Sequence, residues 1–252
     1  MPINNKNPTL IFVHGIGSDY SSWNKQYKFL SENNYSVAGF DIRGHGKSAN
    51  LSNYEDYSLE NSAKDLNKFI DFLGCKNNFV LIGHCLGTSI IQLFENIYPG
   101  KTKMSFLLSE TYEKINKIMS KLLKYYFKIP PRINTNNQSS NAHRKQNYNV
   151  KISDYDIIRI IYAIKKASTK TYASTLSHFF NFNVTNKISS YKTQIVIISG
   201  EDDSILRPER SKFIAKNAKN AKLKIIKNAN QVILNNNWKE INEIILKELK
   251  TL

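Results

Sequence analysis

Asn78-Phe79-Val80-Leu81-Ile82-Gly83-His84-Cys85-Leu86-Gly87 is an apolar run that ends in a Gly-x-Cys-x-Gly turn, and a helical stretch, Thr88 to Tyr98, follows it. Such a run between a strand and a helix makes a sharp elbow. Its central residue is held in a strained backbone conformation, and the side chain stands exposed above the sheet. The flanking positions need glycine, because a Cβ there would collide with the neighbouring strand or helix. The side chain displayed here is Cys85.

Working outward from the elbow, five more short apolar runs read as buried parallel strands: Leu10–Val13, Ser36–Phe40, Met104–Leu108, Gln194–Ile198 and Leu223–Ile226. Helical patterns alternate with them. Ser22–Ser31 carries Trp23, Tyr27 and Leu30. Ser58–Leu73 carries Leu59, Ala63, Leu66, Phe69, Ile70 and Leu73 on one stripe, with Ser58 placed as N-cap. Pro208 sits where a helix would start, and the C-terminal stretch carries Trp238, Ile241, Ile244, Ile245 and Leu249. This alternation predicts an α/β fold with a doubly wound, mostly parallel sheet of about six strands. Its ligand should lie beyond the strand C-termini.

The block from 110 to 190 breaks the pattern. It is too long for a crossover and reads as an inserted helical cap, which leaves 1–109 and 191–252 as the core. Lysines at 114, 117, 121, 124 and 128 run one step ahead of Ile115, Ile118, Leu122, Tyr125 and Ile129, a basic amphipathic helix. Pro130-Pro131 ends it. Residues Arg132 to Asn149 read as a polar loop, and Ile157, Ile160, Ile161 and Ile164 mark a second cap helix.

The net charge of the 252 residues is +16, and residues 101–192 alone contribute +13. Three readings of the lysine stripe stay open: the wet side of a cap helix, an anionic membrane surface entered by Ile118, Leu122 and Tyr126, or a dock for an acidic acyl-carrier protein. Nucleic acid is not expected, because no binding module is recognisable. Two cysteines, Cys75 and Cys85, cannot form a disulfide framework. With no secretory leader at the first residues and no run of about 18 apolar residues, a cytoplasmic setting is expected.

Four segments together resemble the α/β-hydrolase superfamily, across nearly the whole chain outside the cap. They are Leu10-Ile11-Phe12-Val13-His14-Gly15-Ile16-Gly17, Asp41-Ile42-Arg43-Gly44-His45-Gly46-Lys47-Ser48, the Gly83–Gly87 elbow, and Gly200-Glu201-Asp202-Asp203 with Pro208 five residues on. Two early strands of many members are absent, since the chain starts at what would be the third. The resemblance implies a nucleophile, a histidine base, an acid that orients the histidine, and two backbone N–H donors for an oxyanion.

Carried over residue by residue, Cys85 takes the nucleophile position, where the family usually has serine. Ile16 and Leu86 supply the oxyanion N–H groups, and Asp203 is the acid. Asp202 and Glu110 are weaker choices of acid. The histidine is missing: its position reads Gln231, and no histidine follows His178. An amide cannot take a proton at neutral pH. His14, in the oxyanion turn, and His178, in the cap, are the candidate substitute bases. His14 has a structural alternative, bracing that turn, and His84 should point away from Cys85.

A thiol tolerates the loss of a base better than a hydroxyl does, because the thiolate is the attacking form and a helix N-terminus favours it. The expected function is therefore acyl handling on an ester or thioester through an acyl-Cys85 intermediate, ending in hydrolysis or transfer. The alternative is an impaired relative that binds a small ligand or a partner without turnover. No cofactor is implied: neither metal-ligand spacing, nor a phosphate-cradling loop, nor a dinucleotide fingerprint occurs.

Overall fold

The computed structural model describes residues 7–114, 118, 121–122, 154, 161–164 and 167–252. Six strands form one sheet: β1 (Thr9–Val13), β2 (Val37–Phe40), β3 (Phe79–His84), β4 (Met104–Leu108), β5 (Gln194–Gly200) and β6 (Ala221–Ile226). Their order is β2-β1-β3-β4-β5-β6, and every pair is parallel. The central strands are buried on both faces, which is why they read as unbroken apolar runs rather than alternating ones.

Helices cover both faces. On one side α2 (Leu59–Phe72), α3 (Leu86–Ile97) and, further along, α5 (Pro208–Asn217) bury Leu66, Ile70, Ile90, Phe94 and Ile214 against Ile11, Leu81, Leu107 and Ile197. On the other, α1 (Asn24–Glu32) and α7 (Trp238–Leu249) bury Leu30, Ile241 and Ile245 against Leu10, Phe12, Val80 and Phe106. The short α6 (Ile233–Asn236) leads into α7. Ser58 caps α2 as the sequence implies, its hydroxyl accepting from the Asn61 N–H at 3.3 Å. Pro208 is the first residue of α5.

Between β4 and β5, α4 (Thr169–Asn181) packs beside the turns that follow β1 and β2, with Tyr172 against Gly17 and Thr171 against Gly44. Its seat is the segment 50–57. The Tyr54 and Ser177 hydroxyls lie 2.6 Å apart, and the Tyr57 and Thr171 hydroxyls 3.0 Å apart. The close approach depends on Gly17, at φ +68: a Cβ there would lie 2.9 Å from Tyr172 Cε2 of α4 and 2.4 Å from the Ala163 Cβ before it. Of the lysine stripe, Lys114 and Lys121 are described and exposed, as are Ile118 and Leu122. The remaining lysines, Tyr126, the 132–149 loop with His143, and Ile157 and Ile160 lie outside the described residues. No helix among the described residues is long and apolar enough to cross a membrane.

Candidate functional site

β3 ends at His84, and Cys85 follows with φ 52 and ψ −116. A non-glycine residue in such a region costs on the order of 1–3 kcal/mol and persists only where its surroundings dictate it. Here they do. The Cys85 N–H donates to the Leu108 carbonyl at 3.0 Å. The Cys85 carbonyl accepts from the Thr88 N–H at 3.0 Å and the Thr88 hydroxyl at 2.6 Å. A Cβ on Gly87 would stand 2.2 Å from the Val13 carbonyl oxygen, so only glycine lets α3 lie this close to β1. The turn lifts Cys85 off the end of β3, but the side chain does not stand exposed as the elbow pattern implies: it is buried in the core, 5% exposed.

The turn after β1 stands beside it: a Cβ built on Gly15 would lie 3.4 Å from the Cys85 Cβ. Neither the Ile16 nor the Leu86 N–H donates a hydrogen bond among the described residues. Leu86 opens α3, so its N–H has no carbonyl one turn back. Two unused backbone donors thus belong to the turns that flank Cys85, and the α3 dipole favours negative charge at the same end.

Asp203 follows β5 and is 2% exposed. Its Oδ1 accepts from the Ile205 N–H at 3.0 Å and the Leu206 N–H at 2.7 Å. Its Oδ2 has no hydrogen-bond partner among the described residues. Burial pushes the carboxyl up to about 6; the Leu206 and Ile205 N–H groups oppose this, and Asp154 adds to it. Glu110, just after β4, is wholly buried, and neither of its carboxyl oxygens has a hydrogen-bond partner among the described residues. Burial pushes it up to about 8, and the neighbouring Asp203 carboxyl adds to this. Asp202 is exposed.

The two histidines expected as substitute bases are placed elsewhere. The Ile42 N–H donates to His14 Nε2 at 3.0 Å, so the ring carries its proton on Nδ1 and donates it to the Gly15 carbonyl at 2.8 Å. The lone pair that a base needs is already used, and His14 is the brace of the turn. His178 stacks on Tyr54 with ring centroids 4.4 Å apart, and its Nε2–H donates to the Tyr54 carbonyl at 3.1 Å. That makes it part of the cap seat; a base at His178 is not what this placement provides.

Gln231 lies in the loop after β6 and is 6% exposed. Its carbonyl accepts from His84 Nε2–H at 3.0 Å, tying this loop to the residue before Cys85. Its N–H donates to Asp154 Oδ1 at 2.8 Å. The side-chain amide makes no hydrogen bond among the described residues. Asp202 N–H donates to the Ala229 carbonyl at 2.8 Å, so the Asp203 turn and the Gln231 loop pack side by side. Asp154 was not singled out from the sequence. The one signal available was its rarity, since residues 101–192 hold only Glu110, Glu113, Asp154 and Asp156 as acids. No group of three metal-ligating side chains occurs among the described residues.

A family profile for serine aminopeptidases (S33) matches residues 4–236. A Mycoplasma genitalium protein that carries an esterase/lipase name is 28% identical over 145 residues, 54% of this chain and 49% of its own length. The chain thus spans about half the length of that curated relative. A proline iminopeptidase of Pestalotiopsis fici is 22% identical across 97% of this chain and 91% of its own. Among solved structures, a thermophilic esterase from Thermogutta terrifontis superposes with a TM-score of 0.77 at 16% identity, covering 97% of this chain and 91% of that one.

Proposed function

The chain belongs to the serine aminopeptidase S33 family of α/β-hydrolases, and from that premise we propose that it is an esterase- or thioesterase-type enzyme that reacts through an acyl-Cys85 intermediate. The observation that carries this reading is the intact elbow. Cys85 is fixed at φ 52 at the start of α3, with the Ile16 and Leu86 N–H groups, which donate no hydrogen bond among the described residues, on the turns beside it. Relatives with esterase and peptidase names agree in class.

In the reaction, the Cys85 thiol loses its proton to solvent. The thiolate forms a bond to the carbonyl carbon of an ester or thioester, and the oxyanion accepts from Ile16 and Leu86 N–H. The carbon–leaving-group bond then breaks, and the departing alkoxide or thiolate takes a proton from solvent. Asp203 and Gln231 hold the far wall of the site, with Gln231 able to donate to a bound acyl oxygen. Because Gln231 cannot activate water, acyl release is slow, or the acyl group passes to a better nucleophile. Activated acyl donors are therefore the favoured substrates.

Intact-mass measurement after incubation with short- and long-chain acyl thioesters tests this directly. One acyl group should add to the wild-type chain and none to Cys85→Ala. An adduct that survives in Cys85→Ala, or no adduct from any donor, removes the reading. The second reading, a ligand-binding relative without turnover, is favoured by one observation: His14 uses both ring nitrogens on backbone groups. It requires that Cys85→Ala leave ligand binding unchanged.

A further inference from the structure

We infer that Asp154 is a positioning residue: a carboxylate delivered by the cap holds the Gln231 loop and the Asp203 turn together beside Cys85. Asp154 Oδ1 accepts from the Gln231 N–H at 2.8 Å. Oδ2 accepts from the Ser204 N–H at 3.0 Å and from the Ser204 hydroxyl at 2.7 Å. Both carboxylate oxygens are thus engaged, the residue is 6% exposed, and its two partners sit on different loops of the core. Hydrogen bonds to a buried carboxylate are the strong kind.

Residue 231 is consequently gripped from two sides. His84, the residue before Cys85, donates to its carbonyl at 3.0 Å, and Asp154 accepts from its N–H. Ser204 is the residue after Asp203, so the same carboxylate also fixes the turn that carries the acid. Seating of the cap and alignment of the core loops become one event. The residue type matters. Three donors converge on Asp154, which a carboxylate can accept at once, whereas the amide of asparagine has one acceptor oxygen and would turn its NH₂ toward a donor. The catalytic consequence rests on the acyl-Cys85 reading; the positional one does not.

The test uses the full chain with Asp154→Asn, and with Ser204→Ala as a second variant that removes one contact from the core side. Hydrogen exchange followed by mass spectrometry reads the amides of Ser204 and Gln231. Acylation of Cys85 by p-nitrophenyl acetate gives the maximal rate and the half-saturating ester concentration. In Asp154→Asn, exchange at both amides should rise by about tenfold while the strands stay protected. The maximal acylation rate should fall by about tenfold with half-saturation little changed, since alignment rather than ester binding is lost. Ser204→Ala should move both in the same direction by less. Unchanged exchange at Gln231 overturns the proposal, as does an unchanged maximal rate or a loss confined to half-saturation. If the wild-type chain is not acylated at all, the acyl reading fails, and exchange alone decides for or against Asp154.

Discussion

The Cys85 elbow and the Gln231 loop meet where His84 donates to the Gln231 carbonyl, yet they are built by different means. The elbow is held by the sheet itself: the Leu108 carbonyl, the Thr88 hydroxyl and the close pass of Gly87 under Val13 leave Cys85 one conformation. The Gln231 loop is held by its own Asn230 side chain and by residues from outside it, His84 at the end of β3 and Asp154 from between β4 and β5. The nucleophile side is thus ordered by the sheet, and the side that normally supplies the base is ordered in part by a residue from between β4 and β5. A reaction can lose its base through one substitution in such a loop while the elbow stays intact.

The largest expected effect comes from undoing that asymmetry. Gln231→His places an imidazole in a loop already fixed beside the Asp203 turn. A positioned general base is worth about 10²- to 10⁴-fold, so steady-state release of p-nitrophenol from an ester at pH 8 should rise by on the order of a hundredfold. The burst from Cys85 acylation should shrink as release catches up. A rise below about threefold would mean that the loop does not aim residue 231 at the acyl group, and the contrast drawn between the two sides would fall.

Each side also hides a carboxyl, and their surroundings differ. Glu95 lies on α3, the helix of the elbow, and accepts from the Ser105 hydroxyl at 2.7 Å and the Thr193 hydroxyl at 2.6 Å. Burial pushes it up to about 7 against those two donors. Glu110, on the acid side and without a hydrogen-bond partner at either oxygen among the described residues, is pushed further, to about 8. Both groups hold a proton more tightly folded than unfolded, where their ordinary value of 4.5 applies. Their stability contribution is therefore complete below that value and is lost as pH rises through about 7 for Glu95 and about 8 for Glu110. A displacement like that of Glu95 corresponds to ~3 kcal/mol at most. Urea unfolding between pH 5 and 9 should show falling stability, with Glu110→Gln flattening the upper end and Glu95→Gln the middle. A wild-type curve that is flat or rises across this range would contradict the burial of neutral carboxyls on both sides.

What was legible in the sequence follows the same division. Elements whose order is local or core-driven were readable: Met104–Leu108 has the bounds expected, Ser58 caps α2, and Pro208 opens α5. The elbow could be read because its glycines answer to steric limits that span only a few residues. His14 as brace was one of two readings, and the choice between them needed the Ile42 N–H, 28 positions away. Asp154 was invisible for the same reason: its partners lie 50 and 77 positions downstream, and nothing in their local sequence announces a donor waiting for a carboxylate. Charge patterning gave only that an acid in so basic a block is unusual.

The smallest expected effect concerns the seat on which the cap rests. Tyr54 meets α4 in three ways: its hydroxyl is 2.6 Å from the Ser177 hydroxyl, its ring stacks on His178, and its carbonyl accepts from His178 Nε2–H. Tyr54→Phe removes the first and keeps the other two. The loss of one buried hydrogen bond of this kind costs about 1 kcal/mol, or roughly 2–4 °C in Tm for a domain of this size. Because the contact is made to α4 and not to the sheet, the change should be unequal across the molecule. Amide exchange should rise in α4 and at Gln231, where the cap's grip ends, and stay unchanged at Cys85 and Leu108. Equal loosening of elbow and loop would show that the two sides share one support. Loosening of α4 without Gln231 would detach the cap's seat from its carboxylate and leave the loop held by His84.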